Sequence, residues 1–231
     1  MTFIFPPQEP VAALVAGTQD RFAVRRVYCV GRNYAAHARE MGFSDREPPF
    51  FFSKPADAVV PVADGQTLEL PYPGMTQNFH YEGELVLAIG KSGADIAADQ
   101  ALDYVWGYAV GLDMTRRDLQ AQMRDSGHPW EVAKGFDRCA PLSPIHPAAQ
   151  VGHLDRGGIW LTVNGQPKQK GDIADMIWPV PEIVAHLSRY FRLEPGDLIY
   201  TGTPEGVGPV KPGDVIRAGV DRLGELAVRI V

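Results

Sequence analysis

Apolar and polar residues alternate in short blocks along this chain, and the blocks predict many short strands and few helices. Apolar runs typical of buried strands occupy residues 27–31, 48–55, 81–90 and 103–114. Asn164-Gly165, inside the extended stretch 159–171, is the strongest hairpin signal in the chain. The 24 glycines and 20 prolines agree with this pattern, because both residues favour tight turns over long regular elements.

Three segments have the composition or spacing of helices. Residues 32–42 are rich in alanine, and residues 115–125 follow an apolar strand as a polar helical stretch. Residues 181–191 show the clearest helical spacing, with apolar residues recurring every three or four positions up to Tyr190 and Phe191. We therefore expect an α+β, strand-rich fold.

The ends of the chain differ in character. Residues 1–25 are predicted to form an N-terminal arm, with early prolines followed by a short helical pattern, and residues 26–231 to form the main domain. "EPGDLI" (194–199) and "KPGDVI" (211–216) each predict a type II turn, because Gly supplies the positive φ at its third position. An apolar strand follows each turn, so we expect a curled, strand-rich C-terminal half.

Composition narrows the class of protein. With 231 residues, 45% of them hydrophobic, the chain can bury one sizeable core. Its net charge of -6 argues against nucleic acid and membrane surfaces as partners. Cys29 and Cys139 are too few for a disulfide framework and are predicted to be small buried side chains in a reducing compartment. With no basic leader and no membrane-length apolar run, we expect a cytoplasmic protein.

Two glutamates in "NFHYEGELVLAIGK" (78–91) stand out at the start of an apolar strand. Residues two apart point to the same side of a strand, so Glu82 and Glu84 share a face, with Cα atoms roughly 6.5 Å apart. Two converging carboxylates repel each other unless one is protonated or a cation lies between them. An exposed strand end with two solvated carboxylates is the alternative.

A third carboxylate, Asp113, ends the apolar run 103–114. It could instead cap the helix that follows, although Thr115 and Asp118 offer a rival capping pattern. Three carboxylates without nearby Cys or paired His favour a hard cation, Mg²⁺ or Mn²⁺, over zinc.

Other polar groups suggest catalytic chemistry. His37 and Glu40 occupy neighbouring positions on a helix face, where a carboxylate can orient an imidazole as a general base; an ordinary surface pair is the alternative. Lys134 lies between apolar residues, so its cation is either paired and functional or reaches solvent along the surface. The Gly-rich loop 200–208 could hold an anion through its amides or could be a plain turn.

Taken in order, these segments resemble the fumarylacetoacetate hydrolase family. The matching stretches are "VGRNYAAHAREMG", "PFFFSKP", "NFHYEGELVLAIG", "GYAVGLDMTRRDLQ", "WEVAKGFD" and "PGDLIYTGTPEGVGPVKPGDVI". The resemblance implies a mixed β-sandwich roll with a few peripheral helices, usually a homodimer. It also implies site residues, as follows: metal ligands Glu82, Glu84 and Asp113; a water-activating pair, His37 and Glu40; and an active-site lysine, Lys134.

The short N-terminal arm resembles the compact, acylpyruvate-cleaving branch of that family. The implied reaction is metal-dependent hydrolysis of the carbon–carbon bond of a 2,4-diketo acid, best fumarylpyruvate, a product of aromatic-ring catabolism. Gln120 and Thr203 match positions lining the family's site, and Tyr34 is a further candidate for substrate binding. Arginines could bind a distal carboxylate, with Arg32 and Arg117 preferred among the candidates Arg32, Arg39, Arg116 and Arg117.

Two rival functions remain open. The same site could decarboxylate oxaloacetate, or isomerise and decarboxylate a related oxo-diacid. These reactions need no attacking water, so they would not use His37 and Glu40 as a water-activating base. Alternatively, the three carboxylates could bind a cation that only stabilises a non-catalytic β module.

Overall fold

Two large β-sheets form the frame of the molecule in the computed structural model, which describes residues 2–35 and 47–231. In the larger sheet the strand order is β4-β3-β15-β8-β9-β11-β5, with β12 also paired to β9. Its strands are β3 (Arg26–Val30), β4 (Phe51–Lys54), β5 (Val59–Pro61), β8 (Gly83–Ile89), β9 (Val105–Leu112), β11 (Ala140–Leu142), β12 (His146–Pro147) and β15 (Asp197–Tyr200).

The second large sheet packs against the first. Its order is β14-β13-β17-β18-β6, from β6 (Thr67–Leu70), β13 (Gly158–Val163), β14 (Gln166–Asp172), β17 (Val215–Val220) and β18 (Gly224–Ile230). Smaller sheets pair β1 (Ala12–Leu14) with β2 (Arg21–Ala23), and β7 (Phe79–Tyr81) with both β10 (Thr115–Arg116) and β16 (Gly208–Val210).

The helices of the described residues are short and peripheral. The α-helices of the described residues are α1 (Arg117–Asp125), α2 (Glu131–Lys134), α3 (Ala148–Val151) and α4 (Val180–Tyr190). Single 3₁₀ turns or short 3₁₀ helices occupy Ala56–Ala58, Ala98–Tyr104 and Ile173–Asp175. In the described ranges, no helix has the length and apolar character needed to cross a bilayer.

The central strand β8 is buried on both faces, which explains its continuous apolar sequence. Leu85 and Leu87 pack into the cluster between the two large sheets, while Val86 and Ala88 pack into a second cluster on the opposite face. Successive side chains of a strand alternate between faces, so both alternating sets must be apolar here.

Most predicted elements are confirmed, including the 159–171 hairpin. Asn164 and Gly165 have φ of 52° and 76°, the two positive values that a tight type I′ turn requires. Other predicted bounds were wrong: residues 115–116 form strand β10, because they pair with residues 79–80 before the helix begins.

A further expectation was wrong. The apolar stretch after the N-terminal prolines forms β1 instead of a short helix, because it pairs with β2 and buries Ala13. The helix predicted over residues 181–191 is confirmed as α4; Tyr190 and Phe191, the last residues of the apolar repeat, lie at its end and are 71% and 41% exposed. The helical residues Ile183, Val184 and Leu187 form the buried stripe as expected.

Candidate metal centre and active site

Three buried carboxylates converge at one end of the β8–β9 pair. Glu82 directly precedes β8, Glu84 is its second residue, and Asp113 directly follows β9. The antiparallel register pairs Gly83 with Leu112 and brings these residues side by side. One oxygen from each carboxylate lies within 4.8 Å of the others. All three residues are at least nine-tenths buried, so a pair of simply solvated glutamates is the wrong interpretation.

The backbone path refines the predicted geometry. Glu82 lies in the break between β7 and β8, not inside one continuous strand, and its carbonyl accepts a hydrogen bond from the Asp113 amide at 2.9 Å. Asp113 does not lie at the helix start, because α1 begins four residues later, after β10. Its carboxylate instead contacts buried lysines, described next.

Two buried ammonium groups compensate the carboxylates. Lys134 Nζ donates to Glu82 Oε2 at 2.7 Å and to Asp113 Oδ2 at 2.8 Å. Lys54 Nζ lies 2.7 Å from Asp113 Oδ1 and also donates to the Lys134 carbonyl oxygen. Both lysine side chains are at most 2% exposed, so the surface alternative for Lys134 is wrong.

Lys54 is a functional residue that the sequence reasoning missed. It ends strand β4 within the apolar stretch "PFFFSKP", where it is the one charged residue. The same argument that singled out Lys134, that a cation among apolar residues must be paired or functional, would have found it. The pKa of Lys54 is raised above its usual value: burial lowers it, but the charge of Asp113, the nearby Cys139 and Cys29 side chains, and the hydrogen bond to Asp113 together raise it more.

Glu84 carries the least compensated charge of the triad. Its Oε2 accepts a hydrogen bond from the Gly202 amide at 2.7 Å. Burial, and then the charges of Asp113 and Glu82, raise the pKa of Glu84 well above its usual value. A bound cation would favour the charged form, and an oxygen-only donor set suits Mg²⁺ or Mn²⁺. The residues present therefore fit such an ion.

Gly202 can reach Glu84 only because it lacks a side chain. Its φ is +95°, and an added Cβ would lie 2.7 Å from the Asn33 Cβ atom. Asn33 holds the same loop by donating from Nδ2 to the Thr201 carbonyl oxygen at 2.8 Å. The Gly-rich loop thus places an amide against a carboxylate of the protein itself.

Arg117, at the start of α1, extends the charged cluster. It donates to Glu82 Oε1 and to Gln120 Oε1, and its Nε lies 3.4 Å from His80 Nδ1. Burial, and then the charge of Arg117, lower the pKa of His80 to about 4, so this imidazole is neutral near pH 7. Arg117 and Gln120, both predicted substrate contacts, therefore lie together beside the triad.

The other predicted arginines lie elsewhere or outside the described residues. Arg116 donates to the Val132 carbonyl oxygen, and its guanidinium lies 4.3 Å over the Phe136 ring. Arg32 lies 3.5 Å from Glu47. Of the described candidates, Arg117 is the one whose guanidinium contacts a triad carboxylate. Arg39 lies outside the described residues.

Of the remaining predicted site residues, the structure describes Tyr34 and Thr203 but not His37 and Glu40. Tyr34 is 2% exposed, and within residues 2–35 and 47–231 its hydroxyl has no hydrogen-bond partner. Burial, and then the nearby charge of Glu84, raise its pKa. The Thr203 hydroxyl donates to the Gly83 carbonyl oxygen at 2.8 Å. His37 and Glu40 lie outside the described residues, so their pairing stays a prediction.

Comparison with known proteins identifies the family. The family model described as fumarylacetoacetate (FAA) hydrolase C-terminal matches residues 26–231, nearly the whole chain. This chain belongs to the fumarylacetoacetate hydrolase family. The resemblance inferred from the ordered motifs is confirmed.

A solved structure from this family matches the chain in fold and length. The fumarylpyruvate hydrolase of Pseudomonas aeruginosa, crystallised with Mn²⁺ and pyruvate, is 61% identical, with a TM-score of 0.98 over 100% of this chain and 99% of that one. The expected strand-rich roll with peripheral helices is therefore confirmed.

Curated relatives of the family carry more than one activity. A Ralstonia fumarylpyruvate hydrolase is 48% identical over 184 residues, 80% of this chain and 93% of the relative. The mitochondrial oxaloacetate tautomerase FAHD1 of Arabidopsis thaliana is 46% identical over 201 residues, 87% of this chain and 88% of the relative. Family membership alone thus leaves the reaction to be argued from the site.

Proposed function

We propose that this protein is a metal-dependent hydrolase that cleaves the carbon–carbon bond of a 2,4-diketo acid, with fumarylpyruvate as substrate and fumarate and pyruvate as products. The observation that carries the proposal is the buried triad Glu82, Glu84 and Asp113 beside Lys134. Its support is the 61% identity to a fumarylpyruvate hydrolase crystallised with Mn²⁺ and pyruvate.

The triad would hold Mg²⁺ or Mn²⁺. When bound, such an ion supplies Lewis-acid chemistry, polarising the oxygens of a chelating oxo acid. The chain's contribution is to hold three buried carboxylates close together, with Lys54 and Lys134 balancing part of their charge. An apolar environment strengthens these electrostatic interactions relative to water.

His37, oriented by Glu40, is proposed as the general base. It takes a proton from water, and the resulting hydroxide adds to the distal carbonyl carbon of the diketo acid. The bond between that carbon and the methylene then breaks, which releases a carboxylic acid and the enolate of pyruvate. Lys134 stabilises the developing negative oxygen, and protonation of the enolate gives pyruvate.

Arg117 is proposed to bind the carboxylate of the substrate. A guanidinium can hold a carboxylate through two parallel hydrogen bonds, and Arg117 lies beside the triad with Gln120 as its partner. Tyr34 would contribute an unpaired, buried hydroxyl on the side of Glu84. Thr203 and Arg32 remain proposed contacts on the strength of the family resemblance.

Oxaloacetate chemistry is the second candidate function. The 46% identity to an oxaloacetate tautomerase favours it, and decarboxylation of oxaloacetate would use the same metal and enolate. Neither the tautomerisation nor the decarboxylation of oxaloacetate needs an attacking water. Substitution of His37 by Asn should therefore abolish hydrolysis of an acylpyruvate, whereas chemistry on oxaloacetate should persist.

Further assignments accompany the proposal. We infer a cytoplasmic homodimer acting in aromatic-compound catabolism, with an N-terminal arm before residue 26 and a catalytic domain after it. The family resemblance supports the homodimer, and a diketo acid produced by ring fission supports the pathway class.

A substrate panel tests the proposed function. The purified protein, with Mn²⁺ or Mg²⁺ added, is given fumarylpyruvate, acetylpyruvate and oxaloacetate, while enol absorbance is followed and products are identified by NMR. We expect fumarylpyruvate to yield fumarate and pyruvate, with activity lost on chelation and restored by metal. No turnover of either acylpyruvate would overturn the hydrolase assignment.

Glu84→Gln distinguishes a catalytic metal from a merely structural one. The variant should fold with unchanged stability in the absence of metal, since it removes a poorly compensated charge, yet lose Mn²⁺ binding and turnover. Glu225→Gln is the matched control, because that glutamate is half exposed in a surface ion pair. A large loss of metal-free stability in Glu84→Gln, with no turnover by the parent protein, would favour the non-catalytic module.

A further inference from the structure

Gly83, between the two glutamates, has backbone N–H and C=O groups that are hydrogen-bonded by side chains and not by a neighbouring strand. In β8 the odd-numbered residues direct their N–H and C=O groups toward β15: the Ile89 carbonyl accepts from the Gly196 amide, and the Leu85 carbonyl from the Thr201 amide. The N–H and C=O of Gly83 point the same way. A neighbouring strand would satisfy them if β15 continued.

The chain leaves the sheet before it reaches Gly83. Strand β15 ends at Tyr200, which pairs with Val86, and the Gly-rich loop begins immediately afterwards. The buried N–H and C=O of Gly83 would each cost free energy if left unpaired. Something other than a strand must satisfy them.

Two side chains replace the missing strand. Gln169 Oε1 accepts from the Gly83 amide at 3.0 Å, and the Thr203 hydroxyl donates to the Gly83 carbonyl oxygen at 2.8 Å. Gln169 Nε2 donates to Thr203 Oγ1 at 2.8 Å and to the Pro204 carbonyl oxygen at 2.7 Å. The amide and the hydroxyl therefore form one connected clamp on both backbone groups of Gly83.

Gln169 reaches this position from the other large sheet. It is 2% exposed, although its neighbours Lys168 and Lys170 on β14 are exposed. The loop lies directly on the strand there, since an added Cβ at Gly206 would stand 2.0 Å from the Lys168 carbonyl oxygen. The hydrogen bonds of the Gln169 side chain go to Gly83 and to Thr203 and Pro204 of the loop.

We infer that Gln169 is a positioning residue for the metal centre: through Thr203 and Gly83 it holds Glu82 and Glu84 at the spacing that lets both face one ion. This inference rests on the metal site of the proposed function. A shift of Gly83 moves both flanking carboxylates together, so the clamp controls two of three ligands at once. Its neutral amide does so without competing with the ion for the carboxylates.

The clamp also gives Thr203 a role beyond the substrate contact proposed above. The resemblance places this residue at the substrate, yet its hydroxyl is already engaged with both Gly83 and Gln169. Its side chain acts on the ligand segment, and removing the hydroxyl should weaken the metal before any substrate is present.

Calorimetric titration with Mn²⁺, without substrate, tests the inference on Gln169→Met. Methionine keeps the approximate volume and removes both hydrogen-bonding functions. The Mn²⁺ dissociation constant should therefore rise about tenfold or more, an effect common when groups that orient the metal ligands are lost. Ser188→Ala is the matched control, because Ser188 Oγ likewise accepts from a buried backbone amide, that of Ile96, at 2.9 Å. That control should lose thermal stability with no change in Mn²⁺ affinity.

Thr203→Val and Thr203→Ser provide a second pair in case Gln169→Met does not fold. Valine removes the hydroxyl and should weaken Mn²⁺ binding, while serine retains it and should restore affinity to within about threefold of the parent. The inference would be overturned if folded Gln169→Met bound Mn²⁺ as tightly as the parent protein. It would also be overturned if Thr203→Val raised KM but left Mn²⁺ affinity unchanged. Either result would leave the proposed function standing. A parent protein that binds no Mn²⁺ would overturn both.

Discussion

Buried charge is concentrated at a few residues of this molecule, and Lys54 shows how it is stabilised. An ammonium group placed in an apolar interior without partners would lose its charge or destabilise the fold. Lys54 Nζ instead contacts the Asp113 carboxylate, the Lys134 carbonyl oxygen and the Cys139 sulfur. It thereby connects the last turn of α2 with the end of β9.

Lys54→Met should destabilise the protein strongly. The substitution leaves Asp113 with one cation fewer in a buried site, and breaking one side of a buried ion pair typically costs about 3–5 kcal/mol. Urea unfolding in metal-free buffer measures the loss.

Arg124→Met is the control for Lys54→Met. Arg124 forms an ion pair with Asp125 in which the two side chains are 45% and 68% exposed. Exposed pairs contribute less than about 1 kcal/mol, so this variant should unfold close to the parent. Equal losses in the two variants would show that Lys54 contributes no more than a surface charge.

At the scale of elements, two turns repeat the same design. In each, the Asp amide donates to the carbonyl of the first turn residue, at 3.1 Å for Asp197 and 3.0 Å for Asp214. Each Asp carboxylate also accepts from the amide of that first residue at 2.9 Å. Gly196 and Gly213 have φ of +98° and +95°, as the type II prediction requires.

Gly196→Ala and Gly213→Ala should differ in cost although the turns match. Both place a Cβ at positive φ, for which L-residues lose about 1–2 kcal/mol. At Gly213 the added Cβ meets nothing within 4 Å, whereas at Gly196 it would lie 2.6 Å from the Ala23 carbonyl oxygen. That clash should add about 1–3 kcal/mol to the loss of folding stability in Gly196→Ala.

Chemical denaturation of the two alanine variants, side by side, measures this difference. The shared strain cancels in the comparison, so the surplus at Gly196 reports the packing of β2 against the turn. Indistinguishable midpoints would mean that residues 21–25 do not press on the turn in solution.

At the scale of the whole molecule, the N-terminal residues divide into two parts. Residues 2–10 are exposed, whereas Ala13 and Val24 belong to the buried cluster on the outer face of the larger sheet. Backbone hydrogen bonds tie this region to the main fold, from Ile145 to Leu14 at 2.8 Å and from Arg25 to Gly196 at 2.8 Å.

Two truncations test the predicted division at residue 25. Deleting residues 2–9 should change the free energy of unfolding by no more than about 0.5 kcal/mol, like surface changes elsewhere. Deleting residues 2–25 exposes apolar surface of the larger sheet and should cost about 5 kcal/mol or more, a large part of a typical total. Thermal unfolding compares them; equal stability of the longer deletion and the parent would show that the arm is independent of the core.

The local signals of this chain were enough for most elements. Asn164-Gly165 and the two Pro-Gly turns predict their conformations, because each depends on φ values that few residues adopt. The bounds of α4 follow from local spacing, but the exposure of Tyr190 and Phe191 does not, because burial depends on what packs against the end of the helix.

The sequence by itself determined the strand-rich fold, the family and the three carboxylates, since strand alternation, turn chemistry and ordered motifs are all written in local residue types. Only the tertiary structure decided how those carboxylates are held. Lys54 lies 59 positions before Asp113, and Gln169 lies 86 positions after Gly83. The first pair meets when the strands of the larger sheet assemble, and the second when the other large sheet packs against it. Burial then requires every charge and every backbone amide to find a specific partner.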